Sequence, residues 1–362
     1  MDLNHNKILI VKPSSLGDII HTLPLVHALK RCYPDCRIGW IVQEAFASIP
    51  ESDPTVDTVY RIKISSTSDP QSGRLAYLHA FLETIRTLAK LRKIFRQEPY
   101  DQILDLHASF RSGLLGLTNP GGIRIGFADA KELNPLFQKR RVSVTSGVTH
   151  AIDKNLLFCI TLNCIPREQD FMLHSSENDN KHVEAFLHGE GVTSADRLVY
   201  MNAAARWKTK YWNWEKWVEL ADHLTEKNDF KVVFAGSEKD RPYISTIADK
   251  MIHPPVVAAG KLSLSESVSL LRRSSVYVGL DSGPMHMAAM AGIPVVVLFG
   301  PTNPERVGPY GEGHKVIRAD NVDCLGCRKR DCGHMTCMNE ISVEKVYRAV
   351  STLLGNHSTG RG

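Results

Sequence analysis

Short apolar, β-branched runs alternate along the chain with stretches of helical spacing, and turn-rich loops separate them. Residues 7–12 (KILIVK), 37–42, 56–60, 100–106 and 124–127 read as strands of a first half. Residues 19–32, 78–95 and 150–163 carry the apolar period of helices. Pro24 either bends the first of these or sits in the first turn of a helix starting near Thr22. The second half repeats the alternation, with strands at 198–202, 231–235, 256–259, 276–280 and 294–299. Trp214, Trp217, Val218, Ala221 and Leu224 fall on one helical face, which predicts packing of the indoles against a core. Ser263 and Glu266 form a capping box for a helix running to Arg272. Buried strands alternating with helices predict an α/β fold of parallel sheets with right-handed crossovers.

A length of 362 residues exceeds what one core usually organises. Residues 164–180 are polar and without period, and the boundary is placed there, giving domains 1–175 and 176–362. Residues 65–75 form a polar excursion that suits either a surface loop or a substrate lid. The basic residues within 86–96 read as a solvated face, at best a contact for an anionic surface, and the basic run Lys139, Arg140 and Arg141 follows the strand at 124–127. No apolar run spans a bilayer and residues 1–12 lack a signal-peptide core, so a cytoplasmic protein without a transmembrane segment is expected. The net charge of +5 divides as +4 before residue 176 and +1 after it. That favours an acidic partner for the first half and falls short of a nucleic-acid binder.

Candidate chemistry gathers at strand ends. Residues 276–301 read as strand, loop, helix and strand, with Asp281, Ser282 and Gly283 in the loop, Pro284 in the first turn and Gly292 ending the helix. The bland reading makes Asp281 or Ser282 an N-cap and His286 a surface residue. The sharper reading has the Ser282 and Gly283 amides hold a diphosphate with His286 directed at the same anion. A metal or hydrolytic Asp–His pair is the weakest of the three, because no second carboxylate supports it. Arg206 and Lys210, Glu238, and Leu262 occupy the loops after the other strands, and such convergence suits a nucleotide pocket. In the first half the loop Ser14-Ser15-Leu16-Gly17-Asp18 follows the opening strand; Asp18 is either an N-cap or a carboxylate placed as a general base. His107 and Arg111 reach the end of another strand.

Eight cysteines in a cytoplasmic chain are expected to be mostly thiols, with Cys32, Cys36, Cys159 and Cys164 buried as small hydrophobes. Cys324, Cys327, Cys332 and Cys337, with His334 among them, supply enough soft ligands for a zinc or iron–sulfur site. The spacing matches no standard knuckle, and the same thiols could pack a compact loop or pair on oxidation.

The blocks KILIVKPSSLGDIIHTLPLVHALK, WIVQEAFASIP and VGLDSGPMHMAAMAGIPVVVLFGPTNPERVGPYG resemble the ADP-heptose:lipopolysaccharide heptosyltransferases, glycosyltransferase family 9. The first two blocks look most like the heptosyltransferase I branch. The resemblance implies a GT-B fold, two Rossmann-like doubly wound domains facing across a cleft. It implies inverting transfer of heptose from ADP-heptose to the Kdo-bearing lipid A core, by a protein peripheral to the inner membrane. Asp18 would be the catalytic base; Lys210 with Asp281, Ser282, Gly283 and His286 would bind the diphosphate, aided by Arg206. Glu238 would hold the ribose and Leu262 would line the adenine pocket. Ser14, Ser15, Gly17, Arg61 and Arg111 would face the acceptor. No cofactor is required on this reading, and a structural metal at the cysteine cluster stays open. Ala203, Ala204 and Ala205 stand where some members carry hydroxyls. A transferase for another nucleotide sugar, a sugar-nucleotide epimerase and a metal-dependent scaffold are the competing readings.

Overall fold

A computed structural model describes residues 3, 5–63 and 74–356; of the loop read at 65–75, residues 65–73 lie outside the described residues, and 74 and 75 begin the helix Arg74–Gln97. The chain divides into two compact units, Met1–Met172 and Leu173–Gly362.

Unit 1 is built on β1 (Lys7–Val11), β2 (Arg37–Gln43), β3 (Thr58–Ile62), β4 (Gln102–Asp105), β5 (Ile123–Phe127) and β6 (Arg140–Val142). All pair in parallel in the order β3-β2-β1-β4-β5-β6, so the chain winds outward in both directions from β1 and β4. Four consecutive residues of β1 are fully buried because the sheet is covered on both faces. Of the basic run 139–141, Arg140 and Arg141 lie on edge strand β6 with their side chains exposed. The helix expected over 19–32 is two helices, Leu16–Ile20 and Leu23–Cys32, with Thr22 as the second N-cap and Pro24 in its first turn. Proline lacks the amide that a continuous helix would need there.

The cysteine expectation requires a correction. Cys32 and Cys164 form a disulfide, their Cα atoms 6.0 Å apart although 132 residues separate them in sequence. Helical packing brings them within bridging distance, which spacing alone could not reveal. Cys36 and Cys159 are buried thiols, and burial pushes their pKa values up to about 11 and about 12.

Unit 2 repeats the plan with β7 (Arg197–Asn202), β8 (Phe230–Phe234), β9 (Val256–Val257), β10 (Val276–Leu280), β11 (Val295–Leu298) and β12 (Lys315–Ile317). The order is β12-β11-β10-β7-β8-β9, again all parallel. The core is apolar strand residues from β7, β8, β10 and β11 under Trp212, Trp217 and Leu220, with the two indoles edge to face at 5.0 Å. The polar stretch before it is not irregular throughout: Ser176 and Asp179 cap a helix, Glu177–Gly189, whose Val183 and Leu187 are buried. Only two buried apolar positions among charged neighbours left no readable period. Among the described residues, no helix is long and apolar enough to cross a membrane.

Candidate active site

In doubly wound sheets ligands bind at the carboxyl ends of the strands where the winding reverses, because loops on either side part there. In unit 2 that point lies between β7 and β10, and the register sets Gly279 beside Asn202. Ser282 is the N-cap position of the helix Gly283–Met290, yet its hydroxyl makes no cap bond. It donates instead to Asn202 Oδ1 at 2.9 Å and to the Leu280 carbonyl at 3.2 Å, closing the two strand ends together. The first turn of the helix is thereby left without a side-chain cap beside the winding reversal, which is the arrangement an anion meets. His286, one turn in, is 8 % exposed, so the surface-residue reading of it does not hold.

Lys210 reaches the same loop. Its Nζ donates to Asp281 Oδ2 at 2.6 Å and to the Asp281 carbonyl at 2.9 Å, and Thr302 Oγ1 donates to that carboxylate at 2.6 Å. The ammonium also lies 5.0 Å from the Trp207 ring. Asp281 is thus a buried orienter of Lys210 and not an N-cap. Arg206 stands exposed in the same loop, and Ala203 and Ala204 are buried beneath it.

The neighbouring loop carries Glu238, exposed and 3.4 Å from the Arg241 guanidinium. Gly260 supports it: its φ is +74°, and a Cβ there would come within 1.9 Å of Glu238 Oε2 and 2.9 Å of its Cα. The Gly260 amide donates to the Gly236 carbonyl at 3.0 Å, so the two loops are tied backbone to backbone. Leu262 follows, half-buried.

Unit 1 has its own reversal between β1 and β4. Ser15, not Asp18, is the N-cap of the helix Leu16–Ile20, and Asp18 is the third helical residue; Gly17 lies in the same turn. The Ser15 amide and hydroxyl donate to Asp18 Oδ2 at 3.0 and 2.7 Å. Lys12, buried, approaches Asp18 Oδ1 at 3.5 Å while donating to the Leu106 carbonyl at 2.7 Å. Partial desolvation pushes the carboxyl up, but the Lys12 charge, both Ser15 bonds and the neighbouring His21 hold it well below the usual carboxylate range. The Asp18 side chain keeps 44 % of its surface exposed, so one oxygen is fixed and the carboxylate remains reachable.

His107 borders this site; burial and then Lys12 hold its pKa below the ordinary value, against the opposing pull of Asp18 and Asp105. Asp105 anchors the wall: it accepts from the His107 amide at 3.1 Å, Ser112 Oγ at 3.0 Å and Asn134 Nδ2 at 2.7 Å. Arg111 is half-buried on the helix Phe110–Leu117 that this network positions, and Ser14 is half-buried at the loop start. Arg61 differs. It lies on edge strand β3 with its fork on Glu51 at 2.5 and 2.7 Å, so any acceptor anion must compete with a bidentate partner.

Lys12, Asn202 and Thr302 were not singled out from sequence. Lys12 alone carried a signal, being a cation that ends a buried strand. The other two act through partners 80 and 21 residues away.

The tail cysteines are free thiols. Cys324, Cys327, Cys332 and Cys337 line one cavity of about 20 Å³ together with Thr209 and Pro301. Burial, and after it the other three sulfurs, push Cys337 up to about 11.

Against this geometry the comparisons are specific. The model of the family described as glycosyltransferase family 9 (heptosyltransferase) matches residues 88–337. Lipopolysaccharide heptosyltransferase 1 of Pseudomonas aeruginosa is 28% identical over 336 residues, covering 90% of this chain and 87% of the relative. The Escherichia coli K12 protein of the same name is 26% identical, covering 88% of this chain and 95% of its own. Among solved structures, a glycosyl transferase family 9 protein from Veillonella parvula superposes with a TM-score of 0.82 at 24% identity, covering 98% and 99% of the two chains.

Proposed function

The chain belongs to glycosyltransferase family 9, the heptosyltransferase family, and from that premise we propose that it transfers heptose from ADP-heptose to the Kdo-bearing inner core of lipid A, with inversion. Membership makes it an enzyme, a glycosyltransferase of two doubly wound units. The donor and acceptor are argued from the site and from relatives named for that reaction. A solved E. coli heptosyltransferase of the same fold is described with ADP, at 22% identity, a TM-score of 0.73 and coverage of 96% and 99% of the two chains.

The observation that carries the proposal is the uncapped start of helix Gly283–Met290 at the reversal between β7 and β10, beside Lys210. A diphosphate there meets backbone N–H groups, the positive end of a helix and an ammonium held in place by Asp281. These groups stabilise the charge that develops on the ADP leaving group, a task for which the proposal enlists no metal. Glu238 accepts from ribose hydroxyls, and Leu262 packs against the adenine. Asp18 acts as base: its Oδ1, the oxygen not bonded by Ser15, takes the proton of the acceptor hydroxyl as the acceptor's oxygen bonds to the anomeric carbon and the bond to diphosphate breaks. Because its carboxyl is held so far below the ordinary range, it is ionised at every working pH. Lys12, Ser15 and His107 keep the loop in place, and Ser14, Gly17 and Arg111 border the acceptor.

We place the protein peripherally at an anionic membrane face. Leu133 and Leu136, 65 % and 73 % exposed, lie in sequence between Lys131 and the run Lys139-Arg140-Arg141, and Phe110, 44 % exposed, meets the Phe137 ring of the same stretch at 5.4 Å. Large apolar side chains beside a basic rim suit insertion among anionic headgroups.

Incubation with ADP- and UDP-sugars and a core-truncated lipopolysaccharide tests the whole reading. A product heavier by one heptose is expected with ADP-heptose alone. Conversion of a sugar nucleotide without any acceptor would replace the proposal with an epimerase.

A further inference from the structure

Between β12 and the short helix Thr336–Asn339 the chain runs from residue 318 to residue 335 without a regular element. Segments of that length inside a compact unit are uncommon unless something organises them. Here Asn321, Gly326, Arg328 and Met335 all take left-handed backbone, at φ of +55°, +74°, +60° and +43°. Only Gly326 does so without steric cost. Few apolar side chains from the segment reach the core; Ala319, Val322, Cys324 and Leu325 do. What the segment does bring together is four free thiols around one cavity of about 20 Å³, room for roughly one water or one ion.

We propose that Cys324, Cys327, Cys332 and Cys337 form a tetrathiolate site for a structural transition-metal ion, with zinc the preferred occupant. Four sulfurs suit a thiophilic ion of tetrahedral preference, and zinc–sulfur bonds of about 2.3 Å set the sulfurs about 3.8 Å apart. Among the described residues these sulfurs do not include three within 4.8 Å of one another. Ligation therefore draws exposed Cys327 and half-buried Cys324 and Cys332 toward buried Cys337. Each thiol gives up its proton as the metal–sulfur bond forms, so one bound zinc leaves a cluster of net charge −2. Cations of the segment outnumber its carboxylates by one, Arg318, Arg328, Lys329 and Arg330 against Asp320, Asp323 and Asp331, and Asp320 is paired with Lys345. Arg318, whose buried Nε has no hydrogen-bond partner, comes within 3.9 Å of where a Gly326 Cβ would lie. His334 lines the same cavity, with its Nδ1 already engaged: it accepts from the Thr336 amide at 3.3 Å and pairs with the Thr336 hydroxyl at 2.8 Å.

The site is wired to the donor loops. Thr209, beside Lys210, donates to the Lys329 carbonyl at 3.0 Å. The Gly326 and Arg328 amides donate to the Gly300 and Pro301 carbonyls at 3.0 and 2.7 Å, next to the Thr302 that holds Asp281. The metal thus braces both sides of the Lys210–Asp281 pair, a consequence that rests on the donor-site reading, whereas the metal site itself does not.

The test uses the full chain purified under reducing conditions without chelator. Elemental analysis is expected to give about one metal ion per chain, and replacement by cobalt(II) to give thiolate-to-metal charge-transfer and tetrahedral ligand-field bands. Cys327→Ser, at an exposed position, should keep the far-ultraviolet dichroism and weaken zinc affinity at least about tenfold. Reduced protein that takes up neither zinc nor cobalt, or a Cys327→Ser variant that binds zinc as tightly as the parent, overturns the site. Chelation should also weaken ADP binding about tenfold or more; stoichiometric metal with unchanged ADP affinity overturns the bracing role and leaves the site standing. Stoichiometric metal in a protein that binds no ADP at all would count against the donor reading alone.

Discussion

Lys210 Nζ sits 2.6 Å from Asp281 Oδ2 in a largely buried pair, with Thr302 completing the carboxylate. A buried pair broken on one side leaves an uncompensated charge and costs about 3–5 kcal/mol. Lys210→Ala and Asp281→Asn should therefore both lower the thermal midpoint. Replacement of both by Met and Leu should recover most of it, while ADP affinity stays at least about tenfold reduced, the scale of a lost charged hydrogen bond. Calorimetry finding parental ADP affinity in Lys210→Ala would remove the lysine from the diphosphate site.

Asp18→Asn preserves the size of the side chain and removes the base. Turnover should fall roughly 100-fold or more with ADP-heptose affinity unchanged, since general-base loss is worth about 10²–10⁴. Undiminished turnover would assign Asp18 to capping alone, the role its bonds to Ser15 already give it.

The pH dependence follows from the same carboxylate. Its folded pKa is depressed, so the ionised base persists as pH falls through the range in which an ordinary aspartate protonates, and no acid limb from Asp18 should appear above about pH 4. Lys12→Met removes the largest favourable charge. The pKa then rises and an acid limb should enter the kcat/KM profile from the low-pH side. A profile identical to the parent's would show that Lys12 does not set the state of Asp18.

The order in which these features became readable has a physical basis. The strand–loop–helix unit around Asp281 was legible because each part is local: a β-branched run, a short turn, a proline in the first turn and a glycine at +77° ending the helix. Alternating runs likewise announced two parallel sheets. Contacts between distant residues left no trace in any window. Nothing near Ser282 foretells that its hydroxyl turns to Asn202, and nothing near Cys32 foretells Cys164. β6 was hidden because an edge strand of three residues with two exposed arginines has no apolar run to show. Asp18 was ambiguous for a different reason: the residue that caps a turn and the residue that could take a proton are the same one.

Gly260 offers a test of the nucleotide loop that removes no polar group. Alanine at φ +74° carries a strain of about 1 kcal/mol, and its Cβ would displace Glu238. ADP affinity should drop in Gly260→Ala about as far as in Glu238→Ala, and the double variant should be no worse than either. Additive losses would separate the two positions and withdraw Glu238 from the ribose.

The Cys32–Cys164 bridge closes a loop of 132 residues and should contribute about 2–5 kcal/mol, largely by restricting the unfolded chain. Denatured, unreduced and metal-free protein should titrate six thiols of the eight cysteines. Cys32→Ser and Cys164→Ser should lower the midpoint equally and without additivity, and reductant should shift the parent to match. Eight reactive thiols would leave the two sulfurs as packing neighbours.

Membrane placement turns on whether Leu133 and Leu136 insert or merely lie exposed. Burial of apolar surface gives about 25 cal/mol per Å², so two leucines contribute on the order of 2–4 kcal/mol when fully inserted and rather less at an interface. Leu133→Ser with Leu136→Ser should weaken sedimentation with phosphatidylglycerol vesicles at least about tenfold at any salt concentration, one decade being 1.4 kcal/mol. Arg140→Gln with Arg141→Gln should weaken it only at low salt, where headgroup attraction is unscreened. Both double variants keep unit 1's sheet, because the leucines are 65 % and 73 % exposed and the two arginines are exposed on an edge strand. If neither substitution moved vesicle binding, the exposed leucines would have no lipid to enter, and the acceptor would have to be met in solution.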